Sequence, residues 1–454
     1  MSGAESDRDD RRHLEDANDA REGDFRTPSE HDRDRILYCQ EFRRLSGITQ
    51  VISPTGSHPT HNRLTHTLEV AHIAKAMAVR LLGSGHDHQR VAEAGGLDPV
   101  TVEAAALAHD SGHPPFGHVT EEVLHQLLKG KVSEGFEGNP QSFRILTQLA
   151  VRSDKHPGLN LTRATLSAVS KYPWYEGTHG LANRKWGAYG SEKEDLGFSR
   201  EHLEPVLGIP HSPETYSSRT LEAQIMDWAD DVAYAVHDVE DFFRVGSIPL
   251  DRLKADSDER RRFLEYHFAR VTSLGKPSSS FQKEIESQCE ALLHKSSPFV
   301  TAYDGSNSSR AVLHRQSSHF VHRYILGVNL GDDENIPGWE FQIEPELRIE
   351  ANLLKSLLWY YVIEHQGLVS LRFGYATLVT QLFETLLEAG IGKHKAPHLF
   401  PHPFRTRIED DGRESTVYRV ISDFIASLTE PQTIELHHRL RGIAFGNSLD
   451  RITY

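Results

Sequence analysis

Residues 106–118 read ALAHDSGHPPFGH, three histidines and an aspartate within thirteen positions. The alanine-rich run VTVEAAALAHD (100–110) leading into it predicts a buried helix, which Gly112, Pro114 and Pro115 terminate. His109 and Asp110 therefore fall at a helix C-terminus, where neighbouring side chains can turn toward one point. An imidazole and a carboxylate together suit a hard or borderline divalent cation, and the stretch holds no cysteine. Two glycines and two prolines then keep His113 and His118 close by. A metal site that cuts a phosphate ester needs such an arrangement, and a surface loop does not.

Two further segments fit this centre. RLTHTLEVAHIAKAMAVRLL (63–82) has the spacing of an amphipathic helix with His66, Val70, Ile73 and Met77 on one face. Arg63 shares the side of His66, so a cation and an imidazole approach one place. RTLEAQIMDWADDVAYAVHDVEDFFR (219–244) predicts a long helix with Leu221, Ile225, Ala229, Val232, Val236, Val239 and Phe243 along one stripe. Asp227, Asp230, Tyr234, Asp238 and Asp241 lie opposite. Between Leu221 and Phe243 stand seven acids and no lysine or arginine, so no i,i+4 pairs relieve the repulsion. Such a helix calls for something cationic beside it.

Composition narrows the class. At 454 residues with 38% hydrophobic content the chain can build a large core. No apolar run is long enough to span a bilayer, and the polar N-terminus lacks the apolar centre of a secretory signal. Two cysteines, Cys39 and Cys289, make no disulfide framework, and a cytoplasmic location is expected. A formal charge of −15 argues against non-specific coating of duplex DNA. Residues 1–28 read as a mobile tail, 29–245 as the catalytic core with an irregular insertion at 152–217, and 246–454 as a helical C-terminal region. That region is expected to complete the site and make oligomer contacts. One short extended piece is expected at TQVIS (49–53), and the fold class is mostly α.

The order His66, His109-Asp110, Asp230 resembles the H…HD…D signature of the HD-domain phosphohydrolases. DRDRILYCQEFRRLSGITQV (32–51), HNRLTHTLEVA (61–71), LAHDSGHPPFGHVTEE (107–122), NLTRATLSAVSKYPW (160–174) and LEAQIMDWADDVAYAVHDVED (221–241) resemble blocks of the bacterial dGTPase-like deoxynucleoside triphosphate triphosphohydrolases. The specific motifs cover residues 25–245, and a looser likeness runs to about 390.

The resemblance implies an HD-domain helical core that cleaves a dNTP to deoxynucleoside and inorganic triphosphate. It implies His66, His109, Asp110 and Asp230 as ligands of a divalent metal, Mg²⁺ or Mn²⁺ with Co²⁺ as a further option. Asp231 points about 100° away along the helix and is a neighbour. His118 is implied as the catalytic histidine, Glu121 as the acid that orients it, and His113 as a contact to the α-phosphate region. Arg63 is implied to bind phosphate, Gln50 and Val51 to meet the sugar edge, Tyr234 to pack on the sugar, and Asp238 to bond the 3′-hydroxyl. The family also implies a homo-oligomer, often a hexamer, and in some members a nucleotide effector or single-stranded DNA at a second site.

LSGITQVI (45–52) stands where the family commonly has LQ-x-KTQVF, which bears on base preference rather than reaction type. Other HD chemistry, on a monophosphate, an alarmone or single-stranded nucleic acid, is the alternative. A non-catalytic nucleotide sensor is another, but the retained ligand set and His118 argue against it. Arg310, His314, Arg315, His319, His322 and Arg323 form a basic cluster that reads as a solvated helix face, or as a phosphate contact between subunits.

Overall fold

The computed structural model describes residues 8–13, 23–51, 60–83, 88–178, 185–203, 219–271, 279–295, 302–331, 340–393 and 395–443. The chain is mostly helical. Helix α1 spans Pro28–Tyr38, α2 Arg63–Gly83, α3 Pro99–Ala108, α4 His118–Leu128, α5 Arg163–Val169 and α6 Leu221–Arg244. Helix α7 (Asn307–Leu326) leads into the short hairpin β1 (Val328–Gly331) and β2 (Glu340–Ile343). After the hairpin, the described helices include α8 (Pro345–Leu358), α9 (Gln366–Ile391), α10 (Glu414–Ser427) and α11 (Glu430–Leu440).

The helix starts follow their caps. Asp98 accepts from the Val100 N–H ahead of Pro99 in α3, and Thr220 accepts from the Ala223 N–H at the head of α6. Helix α6 is the axle of the first core and packs against α2, α3, α5, α7 and α8. Its expected stripe is buried, and meets Val70, Ile73 and Met77 of α2 and the alanines of α3. The alanines let α3 approach both neighbours closely.

A second core forms where α4 packs on α9 and α10, with Phe116, Leu124 and Leu128 against Leu382, Phe383, Val420 and Phe424. The histidine-rich loop 109–118 therefore bridges two hydrophobic cores. Buried polar contacts join them as well. Arg144 pairs with Asp423 at 3.0 Å and with Glu192 at 2.5 Å, and Arg44 donates to the carbonyls of Leu428, Ser111 and His113.

Two expectations need correction. Part of the expected tail, residues 8–13, is fastened to the fold. Arg8 pairs with buried Glu222, Arg11 with buried Asp32, and the His13 ring stacks on His156 at 4.7 Å. Local sequence shows none of these distant acids. The extended piece at 49–53 is reduced to a single bridge, Thr49 to Asn62, with residues 52 and 53 outside the described residues. The hairpin β1–β2, four residues a side in antiparallel register, lies instead in the C-terminal half. The basic cluster on α7 is a largely exposed face, with Arg323 paired to Glu350 at 3.0 Å. No helix among the described residues is long and apolar enough to cross a membrane.

Candidate active site

Three elements deliver the candidate metal ligands. His66 rises from the first turn of α2, His109 stands at the C-terminus of α3, and Asp230 sits midway along α6. Their donor atoms lie within 4.8 Å of one another. His66 Nε2 is 2.9 Å from Asp230 Oδ1, and His109 Nε2 is 3.6 Å from the same oxygen. His109 donates from Nδ1 to the Ala106 carbonyl at 2.6 Å. Its buried Nε2 is left without a hydrogen bond among the described residues and aims at the carboxylates. Two imidazoles and a carboxylate, with a bare ring nitrogen facing inward, fit a divalent cation.

Asp110 lies beside this trio rather than within it. Its Oδ1 is 3.3 Å from His109 Nε2 and 2.9 Å from His113 Nδ1, while Oδ2 takes Arg63 Nη1 at 2.5 Å. Burial opposes ionisation of Asp110, but His113 and Arg63 outweigh it and hold the carboxyl well below the usual carboxylate range. Asp230 is likewise held down against burial, by Lys171 and His109. Both acids are thus charged acceptors near neutral pH.

Across the cleft stands a histidine–carboxylate pair. His118 opens α4, and its Nδ1 is 2.5 Å from Glu121 Oε2 one turn later. The Glu121 side chain is 9% exposed and that of His118 is 67% exposed. His118 and, next, His113 keep Glu121 ionised despite its burial. Burial, with the Arg63 guanidinium beside it, pushes His113 down to about 4, so its ring is neutral near pH 7.

The loop between the two groups is tightly fixed. A Cβ on Gly112 would come within 2.1 Å of the Ser142 nitrogen, so only glycine permits this approach. Ser142 accepts from the Gly112 N–H and donates to the His109 carbonyl. Phe116 has a φ of 63°, an uncommon conformation for a non-glycine residue. Its ring stacks on Tyr375 of α9 at 4.1 Å.

These groups open into a cleft of about 800 Å³. Gln50, Val51, Arg63, His66, Asp110, His113, His118, Asp230 and Tyr234 all line it. Gln50 Oε1 is buried without a partner among the described residues. His109, Glu121 and Asp238 are not on the wall. His109 and Glu121 support it from behind. Asp238 is 2% exposed, one turn beyond Tyr234, and its Oδ2 has no hydrogen-bond partner among the described residues. Burial, and then the nearby Asp241, raise the Asp238 carboxyl well above its ordinary range.

The cations called for by the acidic face of α6 are present, one from the residues just ahead of the helix and the others from distant parts of the chain. Lys171 contacts Asp230 and lies 3.6 Å from Asp227, Arg219 meets Asp227 at 2.7 Å, Lys355 meets Asp231 at 2.5 Å, and Arg8 holds Glu222. Lys171, Lys185, Lys355 and Arg372 join Arg63 on the cleft wall. Sequence reasoning did not single out these four. Lys171 lies inside the quoted KYPW block, a lone cation after an apolar helix, and that signal was available. Lys355, Arg372, Tyr375 and Glu430 come from the C-terminal region, where local sequence shows only amphipathic helix.

Comparison with known proteins identifies the family. Residues 63–235 match the HD domain, and residues 341–439 match the phosphohydrolase-associated domain. The chain is 35% identical to a deoxyguanosinetriphosphate triphosphohydrolase-like protein of Streptomyces coelicolor over 92% of its own length and 93% of the relative's. A protein of the same description from Corynebacterium efficiens is 35% identical over 93% of each chain. One from Wolinella succinogenes is 29% identical over 92% of this chain and 96% of its own. The protein belongs to the deoxyguanosinetriphosphate triphosphohydrolase-like family of HD-domain phosphohydrolases.

Proposed function

We propose that the protein hydrolyses deoxynucleoside triphosphates to deoxynucleoside and inorganic triphosphate, with water attacking the α-phosphorus. The observation that carries this reading is a single cleft holding three kinds of group. The His66–His109–Asp230 cluster lies at one side, the His118–Glu121 pair at another, and five Lys or Arg side chains stand on the wall. Four of the five are held by carboxylates, Arg63 by Asp110, Lys171 by Asp230, Lys185 by Glu137 and Lys355 by Asp231, and a divalent metal taken up by Asp110 and Asp230 would release Arg63 and Lys171 to a polyphosphate.

His66, His109, Asp110 and Asp230 would hold a divalent cation, Asp110 by releasing part of its contact with Arg63 or His113. The cation supplies charge neutralisation at the phosphoryl oxygens and activation of the attacking water. Arg63 and Lys171, each already beside a ligand carboxylate, bind the phosphate oxygens nearest that centre. Lys185 extends the cationic wall.

The bond that breaks joins the α-phosphorus to the sugar 5′-oxygen, a poor leaving group until protonated. Glu121 engages His118 Nδ1, which leaves Nε2 free to deliver that proton, a role worth about 10²–10⁴ in rate. One water is consumed, and its oxygen ends on the triphosphate. Neutral His113, fixed between Asp110 and Glu121, meets the α-phosphate without adding charge. Gln50, Val51 and Tyr234 contact the sugar, and the unpartnered Oδ2 of Asp238 accepts from its 3′-hydroxyl.

The test is chromatography of products from each dNTP and from GTP, with Mg²⁺, Mn²⁺ or Co²⁺ added. Deoxynucleoside and intact triphosphate as first products support the reading. Orthophosphate or pyrophosphate appearing first would replace it with another HD activity.

A further inference from the structure

Glu430 opens α11 in the C-terminal region, 6% exposed, and its carboxylate reaches two loops of the catalytic core at once. Oε1 accepts from the Thr49 backbone N–H at 3.0 Å and from the Phe116 backbone N–H at 3.1 Å. Oε2 accepts from the Thr49 hydroxyl at 2.6 Å. Thr49 precedes Gln50 and Val51, and Phe116 stands two residues before His118. One side chain therefore ties the segment facing the sugar to the segment carrying the proton donor. The three residues share the cleft wall.

Two features show that this tie carries a local demand. Phe116 is held at a φ of 63°, and an uncommon backbone state persists only when its surroundings over-determine it. Here the supports are the Tyr375 stack and the hydrogen bond to Glu430. On the other side, a Cβ on Gly47 would lie 2.7 Å from Thr429 Cγ2, so the chain entering Thr49 is pressed directly against the start of α11. Thr429 caps that helix with Gln432, which fixes where the Glu430 carboxylate can reach.

We propose that Glu430 is a positioning residue for this site, through which the phosphohydrolase-associated region sets the relative placement of Gln50-Val51 and His118. The inference rests on the proposed dNTP chemistry for its kinetic effect, and on hydrogen bonding alone for its structural effect. The carboxylate acts as an acceptor and does not exchange a proton with the substrate. A glutamine keeps Oε1 for both N–H groups, and its amide can donate to the Thr49 hydroxyl. An alanine leaves both N–H groups without their partner.

The experiment compares Glu430→Ala and Glu430→Gln in the full-length, metal-loaded protein. Displacements on the scale of an ångström at a reacting centre cost about 10²-fold. Glu430→Ala should therefore lower kcat for dGTP by tenfold or more and narrow the ratio of dGTP to GTP turnover, while bound metal stays equal to wild type. Glu430→Gln should restore both kinetic properties to within a few-fold. Hydrogen exchange supplies the independent readout. The amides of Thr49 and Phe116 should lose protection in the alanine variant and keep it in the glutamine variant.

Unchanged kinetics and unchanged protection in Glu430→Ala would overturn the proposal. So would a kcat loss in the alanine variant that glutamine does not restore, or one matched by equal loss of metal. If wild type turns over no dNTP, the substrate reading fails by itself, and the exchange measurement still decides whether Glu430 fixes the two segments.

Discussion

The Nδ1 of His118 stands 2.5 Å from Oε2 of Glu121, one partner largely in solvent and the other buried. The carboxylate fixes the ring's orientation, and the exposed edge is free to meet a leaving group. His118→Ala should lower kcat by about 10²-fold or more, because general acid catalysis contributes on that scale. Metal content should not change, since His118 is outside the proposed ligand set His66, His109, Asp110 and Asp230. Glu121→Gln should give a smaller kcat loss with KM little altered. A His118→Ala protein that retains kcat would remove this residue from the mechanism.

Asp230 and Asp231 are adjacent in sequence and face different partners. Asp230 faces His66 and His109, whereas Asp231 faces Lys355 at 2.5 Å. Asp230→Ala should abolish turnover and strip most of the bound metal, measured by elemental analysis of purified protein. Asp231→Ala should keep metal near one equivalent and free the Lys355 ammonium. Equal metal loss in both variants would show that the wrong carboxylate has been assigned.

His61 joins α2 to α6 through two carboxylates. Its Nδ1 is 2.6 Å from Asp241 Oδ2, and its Nε2 is 2.9 Å from Glu69 Oε1. Burial works against the protonated ring, but hydrogen bonds to Asp241 and Glu69 raise it to about 10, and the pair of histidines His237 and His61 draws Glu69 down to about 2. The folded value lies above the ordinary 6.5, so the stabilisation is full below pH 6.5 and is lost as pH rises to about 10. His61→Gln should cost about 1.5–3 kcal/mol at pH 6, the scale of hydrogen bonds to charged groups. Denaturant titrations at several pH values should show the two proteins converging as pH approaches 10. A difference that is constant with pH would mean that the ring is uncharged at pH 6.

The parts legible in sequence are those with local cause. The stripe of α6 and the apolar face of α2 repeat at helical spacing, so both helices could be read directly, whereas only the family resemblance singles out Asp230 from Asp227, Asp238 and Asp241 on the same face. The break at Gly112, Pro114 and Pro115 is equally local. The arm at 8–13 was not legible, because its partners Glu222 and Asp32 lie far along the chain. Glu430 was hidden for the same reason, since 381 residues separate it from Thr49 and 314 from Phe116. In sequence it is an ordinary acid in the first turn of a capped helix. The hairpin β1–β2 was missed because four-residue strands carry too few alternations to stand out from loop.

Sugar discrimination tests the remaining side of the cleft. Gln50, Val51 and Tyr234 line the wall, and Asp238, one turn further along α6, has a buried oxygen lacking a partner among the described residues. A 3′-hydroxyl would satisfy that oxygen, whereas a 2′-hydroxyl turned toward Val51 rather than toward the Gln50 amide would find no partner and little room. An unpaired buried polar group costs roughly 1–3 kcal/mol, or about 5- to 150-fold in kcat/KM before any steric contribution. Wild type should therefore prefer dGTP over GTP by at least that margin. Val51→Gly should shrink the preference by making room, chiefly through better GTP turnover. Asp238→Ala should weaken dGTP turnover through loss of the 3′-hydroxyl contact, and a 2′,3′-dideoxy substrate should then be handled alike by variant and wild type. Equal hydrolysis of GTP and dGTP by wild type would refute the sugar-pocket assignment while leaving the metal cluster and the His118–Glu121 pair untouched.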